Sequence, residues 1–315
     1  MSKRVLVVGG AGYVGGVVVQ LLVELGHTVR VYDALLYEQE IGSELDFVLG
    51  DVRDREKLMQ HLRWCDVVIW LAAIVGDGAC DLNPTIAREV NEGSVVWLSQ
   101  AFQGRIIFPS TSMAYGVQPG VLTEQALIQP VSLYAQTKWA AEAHLPGKNA
   151  LILRLGTLFG YAHSRIRFDL VVNLLTMKAI THNSIPINGG EQVRAFLHVV
   201  DVARLMAQQV ATDSTGVYNL HAENISIRAL AERIHSHVPS AQIILRPKNE
   251  NETGDYTLDS GKAQRELGFV PERTIDDGIQ EIQELLRCGK AGDVENPCYN
   301  NAAFLRAHPM AAEIV

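Results

Sequence analysis

The chain begins with an unbroken apolar run, Val5-Leu6-Val7-Val8. It passes into Gly9-Gly10-Ala11-Gly12-Tyr13-Val14-Gly15 and then into a stretch of helical period. A short continuous apolar run ending in a glycine turn predicts a strand covered on both faces, as in a parallel sheet. A second run, Thr28-Val29-Arg30-Val31-Tyr32, predicts the next strand and ends at Asp33. Further strands are expected over 46–49, 66–71, 105–109 and 150–155. Helices are expected over 54–62, from Asn83-Pro84 to about Phe102, and from Leu133 to about His144. Asn83 is a capping residue, and Pro84 fits the first helical position, where its missing N–H has no partner to lose.

This alternation predicts an α/β protein with a doubly wound, Rossmann-type parallel sheet and right-handed crossovers. From about Gly156 the elements shorten and the loops lengthen. Helices are expected near 168–180, 200–210, 226–235 and 275–286, with a strand near 193–197. The division is therefore a nucleotide-binding domain over 1–155 and a smaller C-terminal α/β substrate lobe over 156–315, some segments of which return to the first. The stretch 289–315 mixes Gly, Pro and Asn with Tyr299 and Phe304; it reads either as an irregular packed tail or as a disordered end.

Composition narrows the partners. The 315 residues suffice for one large domain or two modest ones, and 48% hydrophobic content is ordinary for a soluble chain. A net charge of −8 argues against nucleic acid as a general partner, and no basic run suggests a membrane surface. No apolar run reaches membrane-spanning length, and no signal peptide is expected ahead of the first strand. Cys65, Cys80, Cys288 and Cys298 have no metal-like spacing and read as free thiols in a reducing cytoplasm. No metal motif is present.

The glycine turn is the first chemical signal. Gly9 allows the tight turn, Gly12 lets backbone N–H groups approach a pyrophosphate, and Gly15 lets the helix pack close to the sheet. The pyrophosphate then lies at the positive end of the helix dipole, at Tyr13 and Val14. Asp33 is placed to accept hydrogen bonds from ribose hydroxyls. Its carboxylate repels a 2′-phosphate, and no basic residue follows until Arg53, so NAD is favoured over NADP.

The second signal is Tyr134-Ala135-Gln136-Thr137-Lys138, which places a phenol and an ammonium on one helix face. A neighbouring ammonium and the positive nicotinamide are expected to lower the phenol pKa and make Tyr134 a general base. Upstream, Ser110-Thr111-Ser112-Met113-Ala114-Tyr115-Gly116 leaves a strand at its carboxyl end, where ligands bind in such sheets. A hydroxyl there can hydrogen-bond the oxygen that Tyr134 deprotonates.

Together these stretches resemble an extended short-chain dehydrogenase/reductase of the nucleotide-sugar epimerase/dehydratase type. Gly50-Asp51-Val52, Leu71-Ala72-Ala73, Arg154-Leu155-Gly156, Arg194 through Asp201, and Leu267-Gly268-Phe269 with Pro271 carry the resemblance along nearly the whole chain. It implies that Asp51 and Val52 lie at the adenine, that Leu71, Ala72 and Ala73 line the cofactor cleft, and that Lys138 also binds ribose hydroxyls. It puts the catalytic hydroxyl at Thr111, with Ser110 or Ser112 as partial substitutes. The sugar 4,6-dehydratases of that family follow this position with Asp-Glu; this chain has Ser112-Met113, and a thioether cannot exchange protons. Epimerisation or keto-reduction is left.

Substrate contacts are expected from Val75 and Gly76 in the loop after the fourth strand, from Ser112, and from Arg167 in the polar cluster with His163, Ser164 and Arg165. The resemblance puts Arg194 at the substrate diphosphate. Asn173 is assigned either to a phosphate or sugar contact or to capping. The expected activity is an NAD-dependent nucleotide-sugar epimerase. The alternatives are a nucleotide-4-keto-sugar reductase and a non-catalytic NAD(P)-binding regulator. Similar enzymes pair through two helices per subunit, so a homodimer is expected through Ala87, Val95, Trp97, Leu98, Trp139 and Ala143, unless those side chains face the sheet.

Overall fold

The computed structural model describes residues 2–37, 42, 44–248 and 255–309. Its strands, in chain order, are β1 (Arg4–Val8), β2 (Thr28–Asp33), β3 (Asp46–Leu49), β4 (Val67–Trp70), β5 (Arg105–Thr111), β6 (Val121–Leu122), β7 (Ala150–Leu155), β8 (Thr157–Phe159), β9 (Ser184–Asn188), β10 (Val193–His198), β11 (Gly216–Leu220), β12 (Glu223–Ser226), β13 (Gln242–Arg246) and β14 (Thr257–Leu258). Seven of them form one sheet in the order β11-β7-β5-β4-β1-β2-β3, and every pairing in it is parallel.

Strand periodicity explains how that sheet is covered. Successive side chains point to opposite faces. Leu6, Val8, Val68, Trp70, Ile106 and Phe108 enter one apolar cluster, while their neighbours Val5, Val7, Val67, Ile69 and Ile107 enter another. The first cluster is completed by helices Arg55–Leu62, Ser94–Ala101 and Leu133–Glu142, the second by Tyr13–Glu24, Val199–Gln209 and Gly261–Leu267. The strand order reverses between β1 and β4, which opens a crevice at their carboxyl ends.

The seventh strand is β11, which lies in the second half of the sequence and pairs with β7. Helix Val199–Gln209 packs on Tyr13–Glu24, and Phe304 and Leu305 join the first cluster. The remaining strands form small sheets, β12-β10-β8, β13-β9 and β14-β6. A separate core there gathers Phe159, Phe196, Leu230, Ile234 and Ile279.

Two expectations are revised in detail. The long helix from Pro84 is divided by a π turn over Glu89–Gly93. The tail holds a 3-10 turn, Pro297–Tyr299, and a helix, Asn301–Ala307; Tyr299 packs edge-on against Phe168. Residues 310–315 of that tail lie outside the described residues. No described helix is long and apolar enough to cross a membrane.

Candidate active site

A cleft of about 600 Å³ opens at the strand-order reversal. Its floor is the glycine turn. Gly9 has φ +85, and a Cβ there would come 2.4 Å from the Ala72 nitrogen, so β1 and β4 approach too closely for any side chain. A Cβ on Gly15 would come 2.3 Å from the Gly9 carbonyl oxygen. Helix Tyr13–Glu24 starts at Gly12 with no side-chain cap and no acid in its first turn. Its first N–H groups and the positive end of its dipole are therefore left for an anion.

Asp33 lines the cleft at the end of β2. Its carboxylate accepts from the Ala11 N–H at 3.0 Å and the Leu35 N–H at 2.8 Å. Burial pushes its pKa up, and those two donors oppose the rise. This spacing of glycine turn, bare helix start and oriented acid fits a dinucleotide with free ribose hydroxyls.

The candidate catalytic trio meets at the same cleft, which Thr111, Tyr134 and Lys138 all line. Thr111 ends β5, and its Oγ1 accepts from the Met113 N–H at 3.2 Å, leaving its own hydrogen available. Ser132 caps the helix that carries Tyr134 and Lys138 by accepting from the Ala135 N–H. Among the described residues no group hydrogen-bonds the Tyr134 hydroxyl or the Lys138 ammonium. The ammonium instead lies 4.0 Å from the Phe108 ring centroid, a cation–π contact.

In the ligand-free chain the phenol shifts in the sense opposite to the one expected with nicotinamide bound. Burial pushes the Tyr134 phenol up in the ligand-free chain, and Cys80, Asp77 and Tyr256 act in the same direction. The cation that opposes them is Arg167, not Lys138. Burial also pushes the Lys138 ammonium down to about 7, against the pull of Glu142.

Every other proposed site residue except two lines the cleft: Gly9, Gly12, Tyr13, Val14, Gly15, Asp33, Val52, Leu71, Ala72, Ala73, Val75, Gly76, Ser112, Arg167 and Arg194. Asp51 does not. Its carboxylate pairs with Arg53 at 2.7 Å, and its carbonyl accepts from the Tyr32 hydroxyl. Asn173 does not either. It is buried, accepting from the Gly160 N–H and donating to the Gly160 and Arg167 carbonyls, so it shapes the loop after β8 instead of facing a ligand. Ser110 is unavailable as a substitute hydroxyl because it donates to Glu142 at 2.6 Å. Ser112 exchanges a hydrogen bond with Tyr256 at 2.8 Å.

Four residues escaped the sequence reading. Tyr256 is 2% exposed and lines the cleft beside Ser112. Asn91, in the π turn, accepts from the Ile74 N–H and donates to Thr137, joining the loop after β4 to the helix Leu133–Glu142. Asp169 lines the cleft and pairs with Arg167 at 2.7 Å. Asn301 donates to the Val75 carbonyl at 2.9 Å from the tail. The Arg167-x-Asp169 spacing was the only local signal for any of them; Tyr256, Asn91 and Asn301 depend on distant partners.

Residues 5–220 match the NAD dependent epimerase/dehydratase family. The UDP-glucose 4-epimerase of Streptomyces lividans is 28% identical, with 87% of this chain and 93% of that protein covered. The dTDP-glucose 4,6-dehydratase of Streptomyces niveus is 26% identical, with 91% and 94% covered. Among solved structures, the dTDP-glucose 4,6-dehydratase DesIV of Streptomyces venezuelae, with NAD bound, superposes with a TM-score of 0.80 at 24% identity, covering 92% of this chain and 99% of that one. With more than half its length matched and the glycine turn, Thr111, Tyr134 and Lys138 gathered at one cleft, the chain belongs to the NAD dependent epimerase/dehydratase family.

Proposed function

We propose that this protein is an NAD-dependent nucleotide-sugar epimerase. The observation that carries the reading is the convergence of Thr111, Tyr134 and Lys138 on the cleft of the glycine turn, with Ser112-Met113 in place of an ionisable pair. The first-turn N–H groups at Tyr13 and Val14 would hold the cofactor diphosphate, Asp33 the adenosine ribose, Val52 the adenine side, and Lys138 the second ribose. Bound NAD supplies reversible hydride acceptance at a sugar carbon.

The chain's own residues handle the protons. Tyr134 takes the hydroxyl proton of the reacting carbon and later returns it. Thr111 donates a hydrogen bond to the same oxygen, with its geometry set by Met113 N–H. Arg194 is the candidate contact for the substrate diphosphate, and Val75, Gly76, Ser112 and Arg167 are the candidate contacts for the sugar. The apolar walls at Leu71, Ala72 and Ala73 exclude water. A ketose formed in such a cleft can turn its other face before reduction.

A dehydratase reading draws on Asp77, a carboxylate that lines the cleft on the loop carrying Gly76. Incubation of the purified protein with a panel of nucleotide sugars and no added NAD(H) tests both. A product of unchanged mass and inverted configuration supports the epimerase; loss of water supports Asp77-assisted elimination; turnover only with added reduced cofactor marks a reductase.

A further inference from the structure

The loop after β8 crosses the mouth of the glycine turn. Ser164 donates to the Gly12 carbonyl at 3.1 Å, and the Tyr13 hydroxyl donates to the Gly160 carbonyl at 2.7 Å. Just past these anchors the loop carries two arginines into the cleft, Arg165 and Arg167. Arg167 is neutralised: Asp169 accepts two hydrogen bonds from it, each 2.7 Å.

Arg165 is not. Its guanidinium lies 3.7 Å from the centroid of the Tyr37 ring and donates to Asn301 Oδ1 at 2.7 Å and to the Cys298 carbonyl. All of these partners are neutral. Its Nε is buried without a hydrogen-bond partner, and among the described residues the side chain forms no ion pair. The loop thus carries two arginines and one carboxylate, paired in contact with Arg167; Asp169 and Asp33 act on Arg165 without forming an ion pair with it. Burial and Arg167 together push the Arg165 pKa down to about 10. A half-buried cation with an orphaned donor is costly unless a ligand supplies the opposite charge.

We propose that Arg165 anchors the diphosphate of the dinucleotide cofactor from the face opposite the glycine turn. Two positive features then converge on one anion: the uncapped start of helix Tyr13–Glu24 and this guanidinium. The cofactor is favoured over the substrate's diphosphate by position. Arg165 acts electrostatically on Asp33 and stacks on Tyr37, which follows β2, whereas Arg194 acts on Tyr256 in another part of the cleft. The loop after Asp33 offers Ala34, Leu35 and Leu36, none with a polar side chain, so the charge comes from across the cleft. Asn301 is its positioning residue. Its backbone N–H donates to Asp169 at 3.0 Å while its side chain ties Arg165 to Val75.

The inference rests on the NAD reading above, and the test separates the two. Full-length protein stripped of nucleotide is titrated calorimetrically with NAD, ADP, adenosine and UDP. Arg165→Gln should weaken NAD and ADP about tenfold to a hundredfold, as expected for a charge-assisted hydrogen bond, and leave adenosine unchanged. Arg165→Lys, which keeps the charge but loses the fork and the stacking, should fall between, and the salt dependence of NAD binding should become shallower in Arg165→Gln. Unchanged NAD and ADP affinity in both variants, beside a wild type that binds them, overturns the proposal. A loss confined to UDP overturns it too and assigns the arginine to the substrate. A wild type that binds no NAD defeats the cofactor reading itself.

Discussion

Lys138 holds its ammonium 4.0 Å from the centroid of the Phe108 ring, one strand over from the helix that carries it, with no carboxylate paired to it among the described residues. A cation on an aromatic face is partly compensated, but its remaining donors await acceptors. Ribose hydroxyls are suitable acceptors.

This burial makes a stability prediction. The folded-state pKa of Lys138 is about 7, against 10.5 for an ordinary lysine. Between those values the unfolded chain binds the extra proton, so stability rises with pH; below about 7 the full cost of the buried charge is present. Urea midpoints of nucleotide-free protein should therefore climb from neutral toward alkaline pH, and Lys138→Met should flatten that climb. Equal slopes in the two proteins would show that the ammonium is solvated.

Arg167 is the cation that opposes the upward shift of the Tyr134 phenol. Tyr134→Phe should reduce turnover about 10²–10⁴-fold and abolish the alkaline-rising limb of the rate profile. Arg167→Met should keep that limb but move it to higher pH. A limb that stays in place in Arg167→Met would remove Arg167 from the phenol's environment.

Asp33 both orients the glycine turn, through the Ala11 N–H, and faces the cleft. Asp33→Ala should weaken NAD by about 1.5–3 kcal/mol, the worth of charge-assisted hydrogen bonds, and narrow the preference over NADP. Titration with both cofactors checks it; unchanged affinities would take Asp33 away from the ribose.

Glu142 and Arg154 form a buried ion pair at 2.5 Å, and Glu142 also accepts from Ser110 while Arg154 donates to Tyr115. The network locks the helix Leu133–Glu142 to β5 and β7. Glu142→Ala strands a buried guanidinium and should cost about 3–5 kcal/mol in equilibrium unfolding. A loss below about 1 kcal/mol would mean that water replaces the carboxylate.

Ala87, Val95 and Leu98 are buried in the chain's own core, so they cannot form the expected subunit contact. Trp139, 39% exposed, and Ala143 remain outward on and just after the helix Leu133–Glu142. We expect a two-fold dimer over this face and a shift to monomer in Trp139→Glu. Sedimentation of the wild type as a monomer at micromolar concentration would remove the dimer from consideration.

The periodicity of the chain determined its class and its cofactor turn. Strands covered on both faces must be apolar at every position, so Val5–Val8 and Val67–Trp70 declare a parallel sheet without outside information. Glycines 9, 12 and 15, Asp33 and the Tyr134–Lys138 spacing are equally local, since their meaning lies in one turn or one helix face. The tertiary structure alone decided the rest. β11 is a short run containing Asn219, and it becomes a sheet strand only because β7 offers a free edge and Tyr115 and Glu124 satisfy that asparagine. Tyr256 becomes a cleft residue through Ser112, and Asn301 reaches Val75 across 226 positions. Electrostatics were decided there as well. Sequence spacing puts an ammonium near a phenol, but burial depth sets the sign of the pKa shift, and that depth is a property of the whole packed chain.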